Sequence, residues 1–204
     1  MTRLIRIGIL VALAGLSTVA FAQDCDEPEP AEMMQIHEKM MALMGPGPEH
    51  EILASMAGNW DAEVSMWMAP GAEPMKSPMT TTAELALGGR FVVATSKGSM
   101  MEMDVTSITY YGYDRRHENY TMVGFDTMGT YYITATGTYD EATKTIDFHG
   151  TDVEPIGGLT QDYNFHLKFN DDGSQKLTLI FNCPTFGNDG PFKLMEWVST
   201  KADG

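Results

Sequence analysis

The chain has 204 residues, enough for one domain with a sizeable core, and it carries 28 Asp and Glu against 13 Lys and Arg. The resulting formal charge of −15 repels nucleic acids and anionic lipids, so nucleic acid is excluded as an expected partner. Methionine is unusually frequent, with 17 residues, several of them in clusters.

The first 22 residues have the pattern of a cleavable secretory signal peptide. Arg3 and Arg6 form a short positive region, an uncharged apolar stretch reaches Val19, and a small-x-small cleavage site ends at Ala22. The apolar stretch is shorter than the ~20 residues of a typical membrane-spanning helix. We therefore expect cleavage after Ala22, a secreted or periplasmic location, and no membrane span in the mature chain.

An acidic arm and a methionine-rich helix are expected over residues 23–45. Residues at three- and four-residue spacing predict one helix face, formed by Met33, Met34, His37, Met40, Met41 and Met44. Thioether and imidazole groups are soft ligands, so part of this face is a candidate copper site. Its ligands would be Met34, His37, Met40, Met41 and Met44. The alternative is a helix whose methionines only pack as adaptable side chains. No other cofactor is expected.

A Gly-Pro-Gly-Pro run at residues 45–48 ends the first helix and introduces a second, short one. Pro48 suits the first helical position, and Glu49 suits the first turn. Apolar residues at 52, 53 and 56 give this helix one apolar face, and Gly58 is predicted to cap its C-terminus.

From Trp60 onward the hydrophobic period changes to two, which is typical of half-buried strands. Strands are predicted at 60–68, 79–87, 90–97, 103–113, 119–127, 130–139, 144–152, 160–169, 175–183 and 192–201. Ten short antiparallel strands must hide their edges, and closure of the sheet does so. The predicted fold is all-β: a closed antiparallel up-and-down barrel of about ten strands over residues 46–204, preceded by one or two short helices. A sandwich of two sheets is the alternative.

The predicted strands have one apolar and one polar face. Tyr163, Phe165 and Leu167, for example, alternate with polar residues. This pattern predicts an apolar lumen and a wet exterior, and a barrel of about eight or more strands can leave room for a small ligand. The leading functional prediction is therefore a monomeric or homodimeric binding protein for a small apolar or amphipathic molecule.

Four short motifs resemble those of a bacterial family known only as domain-of-unknown-function family 1579. They are Pro-Gly-Pro-Glu-His at 46–50, Leu-Gly-Gly-Arg-Phe at 87–91, Tyr-Gly-Tyr-Asp at 111–114 and Gly-Thr-Tyr-Asp at 137–140. The similarity covers about residues 46–201. The resemblance implies a calycin-like barrel and carries no known activity.

The Gly58-Asn59-Trp60 segment is similar to the glycine-x-tryptophan signature that opens the first strand of lipocalins. In those proteins the Trp closes one end of the barrel, and a basic residue from the last strand packs over it. The resemblance therefore implies structural roles for Gly58 and Trp60, with Lys201 as the candidate basic partner.

Arg90 is a candidate ligand anchor. It follows a double glycine and, at a period of two, shares the inner face with Val92 and Ala94. An inward guanidinium among apolar side chains would hold a carboxylate or another anion. The alternative is an Arg at the barrel mouth, solvated or paired with a surface acid.

Other candidate ligand contacts are polar groups and aromatic rings. Glu49 and His50 begin the short helix and either face a ligand or cap and orient the helix. The aromatic candidates for the lumen wall are Trp67, Tyr111, Tyr113 and Trp197. The alternative for these four is plain core packing.

Cys25 and Cys183 can form a disulfide in an oxidising compartment, or remain as two thiols. The two-histidine zinc helix, the nucleophile elbow and the glycine-rich phosphate loop are absent from the sequence, so we expect no enzyme activity. Two further alternatives remain open at this point. The chain is an enzyme that acts on a small lipophilic substrate, or an envelope interaction module whose barrel is solid.

Overall fold

A computed structural model describes residues 29–153, 158–182 and 190–202. The chain divides into two units, residues 1–38 and 39–204. Helix α1 spans Pro30–Met44, and none of its residues is buried. Helix α2 spans Glu49–Ala54. Within the described ranges, the helices are too short and too polar to cross a membrane.

Ten strands follow the helices. They are β1 Gly58–Met66, β2 Met75–Ala86, β3 Phe91–Met100, β4 Met103–Asp114, β5 Asn119–Asp126, β6 Tyr132–Asp140, β7 Thr145–Val153, β8 Thr160–Phe169, β9 Gln175–Phe181 and β10 Phe192–Lys201. Each strand pairs antiparallel with the next along the chain, and β1 also pairs with β10 to close the barrel. The predicted closed up-and-down barrel is therefore confirmed.

Alternate residues of each strand point into the barrel, because side chains of a strand alternate between its two faces. In β8, for example, Gln161, Tyr163, Phe165 and Leu167 are buried, whereas their neighbours are half-buried or exposed. The inner faces form two apolar clusters. Cluster 1 is built around Leu53, Met56, Trp60, Ala83, Val92, Tyr111, Tyr120, Met122, Ala135, Ile146, Phe148, Tyr163, Phe165, Leu167 and Leu179. Cluster 2 comprises Ala62, Val64, Met79, Met100 and Val105.

The barrel has a closed end and an open end. At the closed end β1 begins, β10 finishes, and α2 contributes the buried residues His50 and Leu53. At the open end β1 finishes, and the β1–β2 and β3–β4 turns lie there. Cluster 2 lies nearer the open end, since Val64 follows Trp60 along β1 and Met79 precedes Ala83 along β2.

Gly58 is the first residue of β1 rather than a helix cap, which corrects the prediction for this residue. Its φ is +132°, a conformation that side-chain-bearing residues rarely adopt. A Cβ at this position would lie 2.7 Å from the Lys201 Nζ atom. Glycine therefore makes room at the closed end for the lysine of the last strand.

Candidate functional site

The barrel interior contains a cavity of about 90 Å³. It borders cluster 1, which contributes five of its lining residues, and most of its other walls are inward strand residues. The lining residues are Met56, Trp60, Thr81, Ala83, Ala94, Ser96, Ser107, Thr109, Tyr111, Leu167, Gln175, Leu177, Trp197 and Ser199. The interior is therefore not completely filled by side chains.

One wall of this cavity is polar, which corrects the prediction of a uniformly apolar lumen. We call it the hydroxyl wall, formed by Thr81, Ser96, Ser107, Thr109 and Ser199 on β2, β3, β4 and β10. The Thr81 and Ser96 hydroxyls are 2.8 Å apart and hydrogen-bonded to each other. Because a hydroxyl both donates and accepts, this pair can offer a further bond to a guest. Small side chains also leave the volume that larger apolar residues would fill.

The remaining lining, which we call the apolar wall, is apolar apart from the Gln175 amide and Tyr111 hydroxyl. Leu167 and Leu177, which face each other across β8 and β9, contribute aliphatic surface. Tyr111 and Trp197 add aromatic surface. Burial raises the pKa of Tyr111, so its phenol stays neutral at physiological pH. The cavity can therefore receive a small molecule with one polar and one apolar side.

The closed end is sealed by Trp60 and the residues around it. The Trp60 indole N–H donates to the Met56 carbonyl at 2.8 Å. The Lys201 Nζ atom lies 4.0 Å from the centre of a Trp60 ring and donates to the Ala57 carbonyl at 2.6 Å. This is the packing that the lipocalin-like segment implies. These bonds fix the position of the indole at this end of the cavity.

At the open end, the described part of the chain places apolar side chains over the cavity. Cluster 2 lies between the cavity and the mouth, and the half-buried Met66, Met195 and Trp197 pack against it. Met side chains are unbranched and change rotamer readily. These side chains can therefore repack with small movements.

A second cavity of about 410 Å³ lies outside the lumen, beside strands β3–β5. Its walls are Leu43, Met44, Gly45, His50, Arg90, Phe91, Tyr113, Asp114, Arg115, Arg116 and Thr121. The three guanidinium groups already have partners. Arg90 donates to the Met44 carbonyl from Nε at 2.9 Å and from Nη2 at 2.6 Å. Arg115 donates to the carbonyls of Ala42 and Gly45.

Arg116 is the third of these cations and forms an ion pair with Asp114 at 2.7 Å. Hydrogen bonds from Arg116 and His117 hold the pKa of Asp114 well below its usual range. Among the described residues, Arg116 thus has its charge balanced by a carboxylate, whereas Arg90 and Arg115 donate to neutral carbonyls and keep their positive charge.

The placement of Arg90 corrects the prediction of an inward anchor. Arg90 lies in the turn before β3, is exposed, and does not line the lumen cavity. The preceding Gly88 and Gly89 have φ values of +68° and +82°, so the chain is still turning at this point. The period of two that would place Arg90 beside Val92 begins only with β3.

His50 and Glu49 lie at the start of α2. His50 is buried, and its Nδ1 accepts a hydrogen bond from the Gly47 N–H at 3.0 Å. Its ring meets Tyr113 edge-on at 5.9 Å. The Glu49 carbonyl accepts from the Tyr120 hydroxyl at 3.2 Å. Both residues therefore hold α2 against the barrel, and neither lines the lumen cavity.

The Glu49 carboxylate has one further feature. Its Oε2 atom is buried and has no hydrogen-bond partner among the described residues. Burial, together with the charges of Glu49 and Glu118, raises the pKa of Tyr113.

The four predicted aromatic residues separate into two groups. Tyr111 and Trp197 line the lumen cavity. Tyr113 lines the surface cavity instead. Trp67 does not line the lumen, because it follows the inward residue Met66 and so lies on the outer face. There the Lys193 Nζ atom lies 3.8 Å from its ring centre.

Other predicted residues are not brought into this site. Cys25 and Cys183 lie outside the described residues. The α1 residues Met34, His37, Met40, Met41 and Met44 are all exposed, and their role in copper binding stays a prediction. No group of three or more His, Cys, Asp or Glu residues that could hold a metal occurs in the described part of the chain.

Sequence reasoning missed the hydroxyl wall. The signal was present, since Thr81, Ser96 and Ser107 occupy inward positions of adjacent predicted strands. A single Ser or Thr at an inward position only weakens the alternation of apolar and polar residues along one strand, so it does not stand out. Only the register shows that these interruptions meet at one level of the barrel.

Comparison with known proteins agrees with this architecture. The family described as "Protein of unknown function (DUF1579)" matches residues 45–201. No protein with a curated description matches the chain. Among solved structures, the chain is similar to the protein of "Crystal Structure of Rv2717c from M. tuberculosis", with a TM-score of 0.55 and 13% sequence identity. The match covers 78% of this chain and 100% of the other, and it shows the fold alone.

Proposed function

Since the chain belongs to the DUF1579 family, whose description gives no activity, we propose from the barrel itself that it binds a small amphipathic molecule in its lumen. The observation that carries this proposal is the cavity of about 90 Å³ between a hydroxyl wall and an apolar wall. A guest with one hydrogen-bonding group and one apolar side would satisfy both walls.

The cavity volume limits the size of this guest. Pockets for drug-sized ligands have volumes of roughly 300–1,000 Å³, whereas this cavity has about 90 Å³. A guest of a few non-hydrogen atoms fits without rearrangement. A longer apolar chain would extend toward the open end and displace the methionine side chains of the seal.

The proposed role is binding rather than catalysis. Among the described residues that line the cavity there is no carboxylate, imidazole or thiol to transfer a proton or act as a nucleophile. Tyr111, the ionisable group in the wall, has a raised pKa and is a poor base near neutral pH. The lining chemistry therefore favours a carrier over an enzyme.

We also propose that this binding takes place outside the cytoplasm. The support is the signal-peptide pattern of residues 1–22 and the acidic composition that follows it. Fractionation of the native host and N-terminal sequencing of the protein test this. A mature chain that starts at Gln23 is expected, and an uncleaved chain in the cytoplasmic fraction would reject export.

Native mass spectrometry of protein purified from its own host tests the lumen proposal. A bound small molecule should be released on unfolding. Ser96→Leu fills the cavity and should remove that molecule, because residue 96 is an inward part of the hydroxyl wall. Ser99→Leu on the same strand is the matched control, since Ser99 is exposed.

Three results would count against the lumen as the site. They are an empty wild-type protein, a guest retained by a folded Ser96→Leu variant, and equal loss in both variants. Circular dichroism of each variant establishes that it is folded before binding is compared.

A further inference from the structure

Methionines gather on the inner faces of five neighbouring strands at the open end of the barrel. We call them the mouth methionines: Met66, Met75, Met79, Met100, Met103 and Met195. They belong to β10, β1, β2, β3 and β4, which are adjacent in the closed sheet. They are separate in sequence from the methionines of helix α1.

The strand register brings the side chains of these residues together. Met66 is the direct cross-strand partner of both Met75 on β2 and Met195 on β10. Met100 is likewise the partner of Met103. Directly opposed residues on one face have Cβ atoms about 4.5–5.5 Å apart. Three thioether side chains thus start from one row across β10, β1 and β2.

Burial gives this group an inner and an outer layer. Met79 and Met100 are buried in cluster 2, and Met66 and Met195 pack against them. A Cβ on Gly98 would overlap the Met79 sulfur, so glycine at this partner position leaves room for that sulfur. Met75 and Met103 are 42% and 50% exposed. Sulfur atoms therefore extend from the seal of the lumen to solvent, which provides an entry path for an ion.

The chemistry of the group selects a soft cation. Thioethers are neutral, soft ligands that suit Cu(I), whereas oxygen ligands suit harder ions. Groups of three or more His, Cys, Asp or Glu, which zinc or Cu(II) would favour, are not found in the described residues. Glu102 and Asp104 are exposed next to Met103, and the chain has a formal charge of −15. These charges favour the approach of a cation.

We propose that the mouth methionines form a binding site for Cu(I), or for Ag(I), which has the same soft character. This site is distinct from the hydroxyl wall and from helix α1. Methionines at such positions also serve as adaptable packing, but half-exposed Met75 and Met103 gain little from packing. A continuous row of thioethers that reaches solvent has the arrangement that a soft ion needs.

Methyl NMR of the full protein with Ag(I) as a redox-stable probe tests the proposal directly. The methionine methyl groups are labelled with carbon-13 and followed during the titration. Signals of Met66, Met79 and Met195 should shift with the first equivalent, because the methyl carbon is bonded to the ligating sulfur. The signal of Met122, an inward residue of cluster 1, should not move. Unchanged mouth signals would overturn the proposal, whether or not any variant folds.

Affinity for Cu(I) is then compared between variants under anaerobic, reducing conditions with a competing chelator. The Met66→Leu/Met195→Leu variant keeps the apolar volume of both side chains. It should lower the Cu(I) affinity at least about tenfold, because even mutating groups that only support metal ligands lowers metal affinity by about that much. Met122→Leu, at an inward position of cluster 1 away from the mouth, is the matched control and should retain wild-type affinity. Equal affinity in the mouth variant, or an equal loss in the control, would overturn the proposal. Ligand binding in the lumen is measured separately, so either proposal can fail alone.

Discussion

The two ends of the barrel are closed by different kinds of interaction. At the closed end Trp60 donates a hydrogen bond to Met56, and Lys201 both covers the indole and donates to Ala57. At the open end the seal consists of the apolar residues of cluster 2 and the methionines packed against it. Directional bonds fix one arrangement, whereas methionine packing tolerates several. Among the described residues, the two ends therefore differ in how freely their side chains can repack.

The largest expected effect is at the closed end. Trp60→Ala should lower the free energy of unfolding by about 3–5 kcal/mol, because it removes a buried indole and leaves a cavity. Met75→Ala at the open end should change it by no more than about 0.5 kcal/mol, because surface substitutions away from special features rarely do more. Urea unfolding followed by circular dichroism measures both. Equal losses of unfolding free energy in the two variants would show that the two ends do not differ in what they contribute to stability.

Alkaline pH should act on the interior of the barrel next. Burial raises the pKa of Tyr120 to about 12, above the usual value of about 10. Burial also raises the pKa values of Tyr111, Tyr113 and Tyr163. Because the folded state holds these protons more tightly, its stability is full below pH 10 and falls as pH rises toward 12.

Urea unfolding at several alkaline pH values, combined with tyrosinate absorbance, follows this loss. The loss of unfolding free energy at alkaline pH should exceed the contribution of one hydrogen bond, because several tyrosines titrate together. Tyr120→Phe should shift the loss of stability to higher pH, whereas Tyr132→Phe, at an exposed position near the open end, should not. Identical pH profiles for the two variants would contradict the assignment to buried tyrosines.

Two lysines allow a smaller, matched comparison. Lys201→Met should cost about 1–2 kcal/mol, since it removes a cation–π contact and a charged hydrogen bond to a carbonyl. Lys193→Met removes the cation–π contact with Trp67 on the outer face and a half-exposed ion pair with Glu196 at 3.5 Å, and it should cost about 0.5–1 kcal/mol. Thermal unfolding of the two variants ranks them. A larger loss of stability for Lys193→Met than for Lys201→Met would mean that the hydrogen bond from Lys201 to the Ala57 carbonyl contributes nothing to stability.

The smallest effect is expected at Arg90. Arg90→Ala removes donors to the Met44 carbonyl at the C-terminus of α1 and should cost about 0.3–1 kcal/mol. Far-UV circular dichroism should show a small loss of helix with an intact barrel. Lys97→Ala, at an exposed position of β3, is the control and should leave the helix signal unchanged.

The barrel was predictable because each strand alternates and each joint carries turn residues. The prediction of β2 nevertheless began at residue 79, whereas the strand begins at Met75. The missed segment contains Pro78, and proline lacks the N–H that a strand interior needs. In the barrel Pro78 pairs with Glu63 of β1, and the β2–β3 ladder starts only at Met79, so the missing donor is tolerated.

The candidate site was only partly predictable. Tyr111 and Trp197 were found because aromatic residues at inward positions of strands are easily recognised. The hydroxyl wall and the mouth methionines depend on the register between strands, which one-dimensional spacing does not contain. Arg90 was assigned to the inner face because the double-glycine turn extends one residue further than the pattern indicates.

The β1–β10 seam has a consequence for the order of folding. The other nine strand pairings join neighbours in the chain, whereas the bond from Lys201 to Ala57 spans 144 residues. Contacts of such long range form slowly, because the entropy of closing the loop is lost before the contact is gained. Pairing of β1 with β10 is thus the folding step that closes the open sheet into a barrel. A circular permutant that joins residue 202 to residue 46 through a linker, keeps α2 and Ala57, and opens at the β8–β9 turn would bring β10 and β1 close together in sequence.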